Sequence, residues 1–289
     1  MENLTYDSSF KEAFSYWINN LFERISRLFK YGGTGDDLDG GIDQVHIEKP
    51  LLINGNCGIC DYDGNLTAFN GSYSGVSVYY DRFPYYMVRS PLYSGRKTIG
   101  RDIVVIRNNS TESSLLPMVK RYAVLLAHAE ITLATLMINA RVSSVPTAIN
   151  NKQKALVDEW RKGVFNGKIN TLMDSGFLSL RWVDINNNSP VNIKDLVEVR
   201  ENILCSFYHD VGVRTTIQKK GNLIDAELKG NDAMLLININ DMLEERKRGC
   251  ERVNKMFGTS WSVDKCEELK YNNAVDIDEG GAEDGKMED

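Results

Sequence analysis

Two cysteines three residues apart, Cys57 and Cys60, form the local motif with the clearest chemical potential. A C-x-x-C pair can supply half of a zinc site or carry out thiol exchange. The other three cysteines form no second pair, and the nearest histidine, His46, stands alone. The motif also lies in a Gly- and Asn-rich segment, whereas a redox motif belongs at a helix start. We therefore expect buried structural cysteines, with a small zinc or thiol-redox protein as the alternative.

Other catalytic signatures are missing from the sequence. His46, His128 and His209 have no Ser or Cys nucleophile context, so triad chemistry is not indicated. There is no G-x-x-x-x-G-K-[ST] loop for nucleotide phosphates. Asp61 and Asp63 resemble the start of a calcium loop, but the glutamate at its twelfth position is lacking. We predict no enzyme, no catalytic residues, no bound metal and no cofactor.

A basic segment between two predicted helices is the remaining candidate site. Residues 213–231, VRTTIQKKGNLIDAELKGN, carry Arg214, Lys219, Lys220 and Lys229, and are predicted to form a loop. In an isolated subunit this pattern is typical of a solvated surface loop. If the flanking helices line a ring, the loop would instead repeat its lysines around a central hole.

A helix predicted over residues 117–141 organises the rest of the chain. Its apolar residues occupy every face, and between residues 122 and 140 only His128 and Glu130 can carry an acid-base charge near neutral pH. Such a helix needs neighbours all round, either in one large core or against copies of itself in a ring. A membrane span is disfavoured, because a central glutamate costs about 2.5–3.5 kcal/mol there and no second apolar segment exists. We expect no membrane partner.

The chain before this helix predicts one helix and a β module. A capping box, Ser9 with Glu12, starts an amphipathic helix over residues 9–31, and the Gly-rich residues 32–41 form a linker. From residue 42 to 109, short β-branched and aromatic runs alternate with turn pairs at 54–55, 63–64 and 70–71. The best predicted strands are VSVYYDRF and DIVVIRN.

The chain after the long helix predicts two more helices and a mixed insert. The insert, residues 143–189, holds a short helix over 152–164 and a strand in FLSLRWVDI. A second long helix runs over 190–210, with Ser189 as its cap and Gly212 as its stop. A third helix runs from residue 232 to 257, and TSWSVD after it is a strand. The fold class is mainly α with a small β module, α+β.

The charge of the chain is concentrated in its acidic tail. The net charge is -6, with 34 basic and 40 acidic residues. Residues 275–289 hold seven acids against one lysine, which leaves 33 charges of each sign in the body. A neutral body excludes tight, extensive nucleic-acid binding. Five scattered cysteines and no signal-peptide pattern indicate synthesis in a reducing cytoplasm.

The order of these parts resembles the portal proteins (upper collar, or head-tail connector) of phi29-like short-tailed phages. The likeness is strongest from about Val104 to Val263. It is carried by a set of landmark segments that occur in the family's order: VVIRNN, NARVSSVPTAINNKQKALVDEW, LVEVRENILCSFYHDVGV, QKKGNLIDAEL and EERKRGCERVNKMFG.

The resemblance implies a dodecameric ring at one capsid vertex, through which double-stranded DNA is packaged and ejected. It implies these parts: a wing with a small SH3-like β-barrel (1–112), a first stem helix (113–142), a clip (143–189), a second stem helix (190–211), a channel loop (212–231), a wing helix and strand (232–272) and a disordered acidic tail (273–289). Arg214, Lys219, Lys220 and Lys229 would then touch passing DNA transiently. A capsid or tail component without a DNA channel is the other alternative.

The resemblance also implies partners. These are the major capsid and scaffold proteins, a packaging ATPase, and the lower collar and tail proteins. In the family's type member a basic N-terminal segment is linked to a packaging RNA, whereas this chain begins MENLTYDSSF. Binding of packaging RNA through the N-terminus is therefore not predicted.

Overall fold

The structure is a computed structural model that describes residues 6–34, 41–76, 84–91, 93–140, 142, 144–167, 180–184, 192–213 and 225–266. For residues 6–8, 184 and 225–237 it describes the backbone alone. Within these ranges the helices are α1 (Tyr6–Ile25), α2 (Gln44–Asn54), α3 (Leu116–Asn139), α4 (Asn151–Phe165), α5 (Ile193–Val211) and α6 (Asp225–Phe257).

The described strands are short and antiparallel. They are β1 (Phe29–Gly32), β2 (Asn56–Tyr62), β3 (Asn65–Phe69), β4 (Gly71–Ser74), β5 (Tyr85–Arg89), β6 (Ser94–Thr98), β7 (Val104–Arg107), β8 (Ser144–Thr147), β9 (Arg181–Asp184) and β10 (Ser262–Lys265). They form two three-stranded sheets, β3-β2-β7 and β4-β5-β6, and two ribbons, β1-β10 and β8-β9. The mixed α and β content agrees with the predicted fold class.

The chain divides into two compact units. One comprises Met1–Trp17 and Ala123–Leu204, and the other comprises Ile18–Tyr122 and Cys205–Asp289. The boundaries fall inside α1, α3 and α5, so each of these helices contributes to both units.

The β module of the second unit is built around one apolar core shared by its two sheets. Side chains from both sheets are buried together: Cys60, Phe69, Tyr86, Val88, Ile103 and Val105. Tyr86 is fully buried and its hydroxyl donates to Asn56 Oδ1 at 2.8 Å, which satisfies the one polar atom of that ring. A Cβ at Gly58 would approach the Tyr86 ring to 2.7 Å, so only glycine lets the strand pass so close to the ring.

Helix α6 lies against β7 at a very short distance. A Cβ built at Gly249 would come within 2.7 Å of Ile106 Cγ2. Glycine at this position therefore lets the helix backbone rest on a buried strand. The helix ends at Phe257, and Gly258 follows with a φ of 69°, the left-handed conformation that commonly ends a helix.

Several predicted elements are confirmed. Helix α3 occupies the predicted long helix, and Ser114 Oγ accepts from Leu116 N at 3.1 Å as its cap. Helix α4 and strand β7 also lie at their predicted positions. The pair at 63–64 forms the tight turn of the β2-β3 hairpin, with positive φ at both residues. Most of VSVYYDRF, residues 77–83, lies outside the described residues, as do most of the 32–41 linker and the acidic tail.

The first half of the chain corrects four predictions. The N-terminal helix ends at Ile25 rather than residue 31, because Phe29–Gly32 leave it to pair with β10. Residues 44–54, predicted as part of the β module, form α2, capped by the Asp43 carboxylate and closed by Gly55 in the left-handed conformation. The pair at 54–55 is thus a helix end, and the pair at 70–71 is a corner between sheets.

Two helix starts in the second half also differ from prediction. Helix α5 begins at Ile193, where Asn192 Oδ1 accepts from Lys194 N at 3.3 Å, and the predicted cap Ser189 and first residue Pro190 lie outside the described residues. Helix α6 begins at Asp225, so the last part of the predicted 212–231 loop is helical. Gly212 stops α5 as predicted.

Candidate functional site

The predicted channel residues lie mostly outside the part of the chain that the structure describes. Arg214, Lys219 and Lys220 fall between the described residues 213 and 225. The backbone of Lys229 lies in α6, a helix rather than a loop, and its side chain is not described. The structure therefore defines the two ends of this basic segment, namely the end of α5 and the start of α6.

The end of α5 is closed by backbone hydrogen bonds. Gly212, with a φ of 96°, donates its N–H to the carbonyl of Tyr208 at 3.0 Å and to that of His209 at 2.9 Å. Val213 donates to the Tyr208 carbonyl at 2.8 Å. These bonds satisfy carbonyls that the last helical turn would leave free. The basic segment therefore begins directly after a well-defined helix end.

Side chains from three helices hold that point within the second unit. The Tyr122 hydroxyl from α3 donates to Asp210 Oδ2 at 2.5 Å. Arg24 of α1 donates through Nη1 to the Tyr208 hydroxyl at 2.7 Å, and Asn238 of α6 donates to the Asp210 carbonyl at 3.3 Å. A force on the basic segment would therefore reach three other helices through these contacts.

The Tyr122–Asp210 bond gives a pH-dependent prediction. The pKa of Tyr122 is raised to about 12, mainly by partial burial and to a smaller extent by the Asp210 carboxylate. Because the folded-state pKa exceeds the unfolded value, the stabilisation is complete below that unfolded pKa, near 10, and is lost as pH rises toward 12. Tyr122→Phe should lower the free energy of unfolding by about 1 kcal/mol at pH 8. In urea titrations this gap should narrow at high pH; a constant gap would contradict the assignment.

The apolar helix α3 changes character along its length. Its buried side chains all precede Glu130: Val119, Ala123, Leu126, Ala127 and Ala129. From Ile131 to Asn139 every residue is half-buried or exposed, and Met137 is 49% exposed. This second half is still rich in Ile, Leu and Met, and of these Met137 is exposed while Ile131, Leu133, Leu136 and Ile138 are half-buried, so its apolar surface is only partly covered.

Two ionisable side chains in the middle of α3, His128 and Glu130, contact α1 within the first unit. Glu130 Oε2 accepts a hydrogen bond from Trp17 Nε1 at 2.7 Å. The His128 ring lies 4.8 Å from the Phe10 ring, centroid to centroid. Helix α1 therefore contacts His128 and Glu130, although both side chains remain exposed.

Helix α5 carries a second set of exposed apolar side chains in its first turns. Ile193 is 38% exposed, Val197 37% and Val199 48%. Both long helices of the first unit thus present aliphatic side chains that the same chain does not cover. By length and composition α3 could also cross a membrane, and 22% of its most apolar window is buried. Helices in soluble proteins pass the same test.

The cysteines of the C-x-x-C motif are poor candidates for chemistry. Cys57 and Cys60 are both fully buried in strand β2, where a spacing of three residues directs their side chains to opposite faces. The pKa of Cys57 is raised mainly by burial and to a smaller extent by the charge of Glu48. Burial also raises the pKa of Cys60. Both thiolates are disfavoured, whereas redox and metal chemistry require them. Among the described residues no group of three or more His, Cys, Asp or Glu could hold a metal.

A buried ion pair positions α6, and sequence reasoning missed it. Arg246 and Glu48 are both 0% exposed, and the guanidinium meets the carboxylate through Nε at 2.7 Å and Nη2 at 2.8 Å. The remaining donors reach the Asn108 and Met242 carbonyls and Asn108 Oδ1. Glu48 Oε1 also accepts from Tyr31. One arginine thereby links α6 to α2 and to the end of β7.

The electrostatics of this pair favour its charged form. Burial alone would lower the pKa of Arg246, but Glu48 raises it above its ordinary value. Burial and Glu48 together raise the pKa of Tyr31, so the phenol stays a donor. The Phe29 ring lies 4.2 Å from the guanidinium carbon and adds a cation–π contact. The side chains around this ion pair are all buried, so we assign them a structural role.

Comparison with known proteins gives a match over most of the sequence. The family model described as Phage Connector (GP10) matches residues 7–270. A chain of the virion of a native gene transfer agent (GTA) particle aligns with a TM-score of 0.50 at 13% identity, over 92% of this chain and 84% of that chain. This likeness concerns the fold alone.

Two further structures align at lower scores. A chain of the portal and tail of native bacteriophage P68 has a TM-score of 0.44 at 16% identity, over 94% of each chain. An HK97 family phage portal protein from Corynebacterium diphtheriae has a TM-score of 0.47 at 11% identity, over 90% of this chain and 95% of that chain. The family match, rather than these structures, carries the assignment of the sequence.

Proposed function

The chain belongs to the Phage Connector (GP10) family, and from that membership we propose that twelve copies form a closed ring around double-stranded DNA. A connector is the portal that joins phage head and tail, so the protein is a virion component at the capsid vertex. Packaging and ejection of the genome pass through that vertex. The proposal concerns the subunit number, the DNA channel and the residues that line it.

The partly covered apolar half of α3 is the observation that supports assembly into a ring. Residues 131–139 contain no buried side chain, although five of them are Ile, Leu or Met. A neighbouring subunit would remove this surface from water, at about 25 cal/mol per Å² of apolar area. The exposed aliphatic residues of α5 supply a second surface for the same contact. A repeated head-to-tail contact that closes on itself produces a ring.

Purified full-length protein tests this proposal directly. We expect light scattering after gel filtration to give a mass of many subunits, and negative-stain images to show rings with a central hole. A compact monomer at high concentration would refute the ring. A ring with a subunit number other than twelve would refute the dodecamer but would still support a ring.

The basic segment between α5 and α6 is proposed as the channel loop. Duplex DNA carries one negative charge per roughly 1.7 Å of axis, so a densely cationic conduit would hold it fast. A few lysines repeated around a ring, on an otherwise neutral body, would give shallow contacts that let DNA slide. Arg214, Lys219, Lys220 and Lys229 are the residues proposed for these contacts.

Replacing both loop lysines should affect DNA without affecting assembly. We expect Lys219→Ala/Lys220→Ala to form rings normally but to retain severalfold less nuclease-protected DNA after packaging. A plot of the logarithm of the DNA-binding constant against the logarithm of the salt concentration should also become shallower. Its slope should change by roughly 0.9 for every phosphate that is no longer neutralised by a lysine.

The matched control removes the same charge elsewhere. Lys30→Ala/Lys49→Ala replaces two exposed lysines of β1 and α2. The proposal fails for these residues if the loop variant and this control retain DNA equally well.

The remaining parts follow the family arrangement in the same proposal. The β module, with its shared core, is taken as an SH3-like barrel within a wing that meets capsid and scaffold proteins. Helices α3 and α5 are the stem, and the ribbon β8-β9 with α4 is the clip that meets the packaging ATPase and later the tail. Portal proteins are structural, so the ATPase rather than this chain supplies the energy.

A further inference from the structure

The sheet β4-β5-β6 is locally basic in an otherwise acidic chain. From Gly71 to Asp102 the sequence holds five basic residues and two acidic ones, whereas the whole chain has a net charge of -6. Among the described strands of this sheet no residue is acidic. Asp102, just beyond β6, is engaged by the Thr98 N–H at 3.0 Å. Asp102 also pairs with Arg101 at 3.9 Å, so Arg89 and Arg96 have no acidic partner within the described strands of their own sheet.

The arginines of this sheet lie on its outward face. Tyr86 and Val88 of β5 are fully buried, so alternation along the strand directs Tyr85, Met87 and Arg89 to the other side. Met87 pairs with Arg96 of β6 in register, which places Arg96 on the same face as Arg89. Both arginines are exposed. As diagonal neighbours across one pair of strands they are roughly 7–8 Å apart.

The side chain of Arg96 is held in a defined orientation. Its guanidinium carbon lies 4.4 Å from the centroid of the Tyr85 ring. Stacking on an aromatic face restricts the guanidinium plane and leaves its edges available as donors. The register brings further small donors to the face, namely Ser72 and Ser74 of β4.

The composition of this face fits phosphates better than a protein surface. Arg, Ser, Thr and Tyr side chains make most contacts to nucleic-acid phosphates. Tyr, Met and Arg are also enriched at protein interfaces, but Met87, half-buried, is the one large aliphatic side chain among the described outward residues of β5 and β6, so the face lacks an extended apolar centre. Among the described residues of β4, β5 and β6, the face thus offers positive charge and hydrogen-bond donors without carboxylates.

From these observations we propose that the outward face of β4-β5-β6, centred on Arg89 and Arg96, binds the phosphate backbone of a double-stranded nucleic acid. This site is separate from the channel loop and does not depend on Lys219 or Lys220. Contacts of this kind recognise backbone charge and carry no base specificity.

The test measures binding of the assembled full-length protein to short DNA and RNA duplexes of matched sequence. All variants are made in an Arg214→Ala/Lys219→Ala/Lys220→Ala/Lys229→Ala background, so that the proposed channel residues cannot account for the result. Arg89→Ala/Arg96→Ala should weaken binding by about tenfold or more. It should also reduce the slope of the logarithm of the binding constant against the logarithm of the salt concentration by about 2 per bound subunit. The duplex bound more tightly identifies the nucleic acid.

Two further variants make the result decisive. Arg89→Lys/Arg96→Lys keeps both charges and should keep the salt slope, and loss of the slope would overturn the electrostatic basis. Arg27→Ala/Arg161→Ala removes two exposed arginines, one just after α1 and one in α4, and should bind like the background protein. Equal affinity of Arg89→Ala/Arg96→Ala and the background would overturn the site. Equally effective competition by poly-glutamate would overturn nucleic acid as its occupant.

Discussion

Replacing Met137 by glutamate is expected to leave the subunit folded and to abolish its assembly into rings. Met137 lies in the second half of α3 and is 49% exposed, so a carboxylate there is hydrated in the free subunit. In the proposed ring the same position is buried against a neighbour. Removing an unpaired carboxylate from water costs several kcal/mol. A penalty of about 3 kcal/mol at every interface weakens each one about a hundredfold.

The measurement is subunit mass by light scattering, together with negative-stain images. The matched control is Val45→Glu, at an exposed valine of α2 that is 44% exposed. An acid suits that position, which lies in the first turn of a helix. Ring formation by Met137→Glu at the level of the Val45→Glu control would rule out an α3 interface. Loss of cooperative unfolding in Met137→Glu would indicate that the side chain serves the fold.

The second large effect is expected at the buried ion pair. Arg246→Met removes the guanidinium but keeps most of its volume, and it leaves Glu48 charged, fully buried and without its bidentate partner. Breaking a buried pair in this way costs about 3–5 kcal/mol. Asn108 is also deprived of two hydrogen bonds from Arg246. We expect unfolding at a much lower urea concentration, with assembly abolished as a consequence.

A double-mutant cycle separates the pair from the burial of either side chain. Glu48→Leu/Arg246→Met removes both charges and should recover much of the stability that Arg246→Met alone removes, because no isolated charge remains. Lys247→Met, at the exposed neighbouring residue of α6, should change stability by less than about 0.5 kcal/mol. Additive losses at Glu48 and Arg246 would show that the two residues act independently.

The long helices could be predicted from sequence because their signals are local. Helix α3 has Pro117 in its first turn and Ser114 before it, and α6 ends at a glycine in the left-handed conformation. Helix α2 is not evident from sequence, because Pro50 interrupts it and its polar and apolar residues follow no helical period. Its signals are the Asp43 cap and Gly55 at its end, and Asn54-Gly55 equally suits a hairpin.

The pair at α6 could not be predicted, because its partners are 198 residues apart. The segment EERKRGCER has the composition of a solvated helix face, yet Glu245 and Arg246 are buried in it. Nothing local distinguishes Arg246 from Arg248, which is exposed. The candidate channel lysines could be proposed from sequence because their signals are local. Residue type and flanking helices indicate them, and their role depends on a ring that one subunit cannot reveal.

The β1-β10 ribbon has a consequence for the order in which the protein matures. Phe29 pairs with Lys265, so β1 cannot find its partner strand until the much later β10 segment has left the ribosome. Contacts between residues so distant in sequence form late and slowly. A nascent chain therefore lacks a finished second unit until β10 has been synthesised. The ribbon makes completion of the second unit one of the last steps of folding.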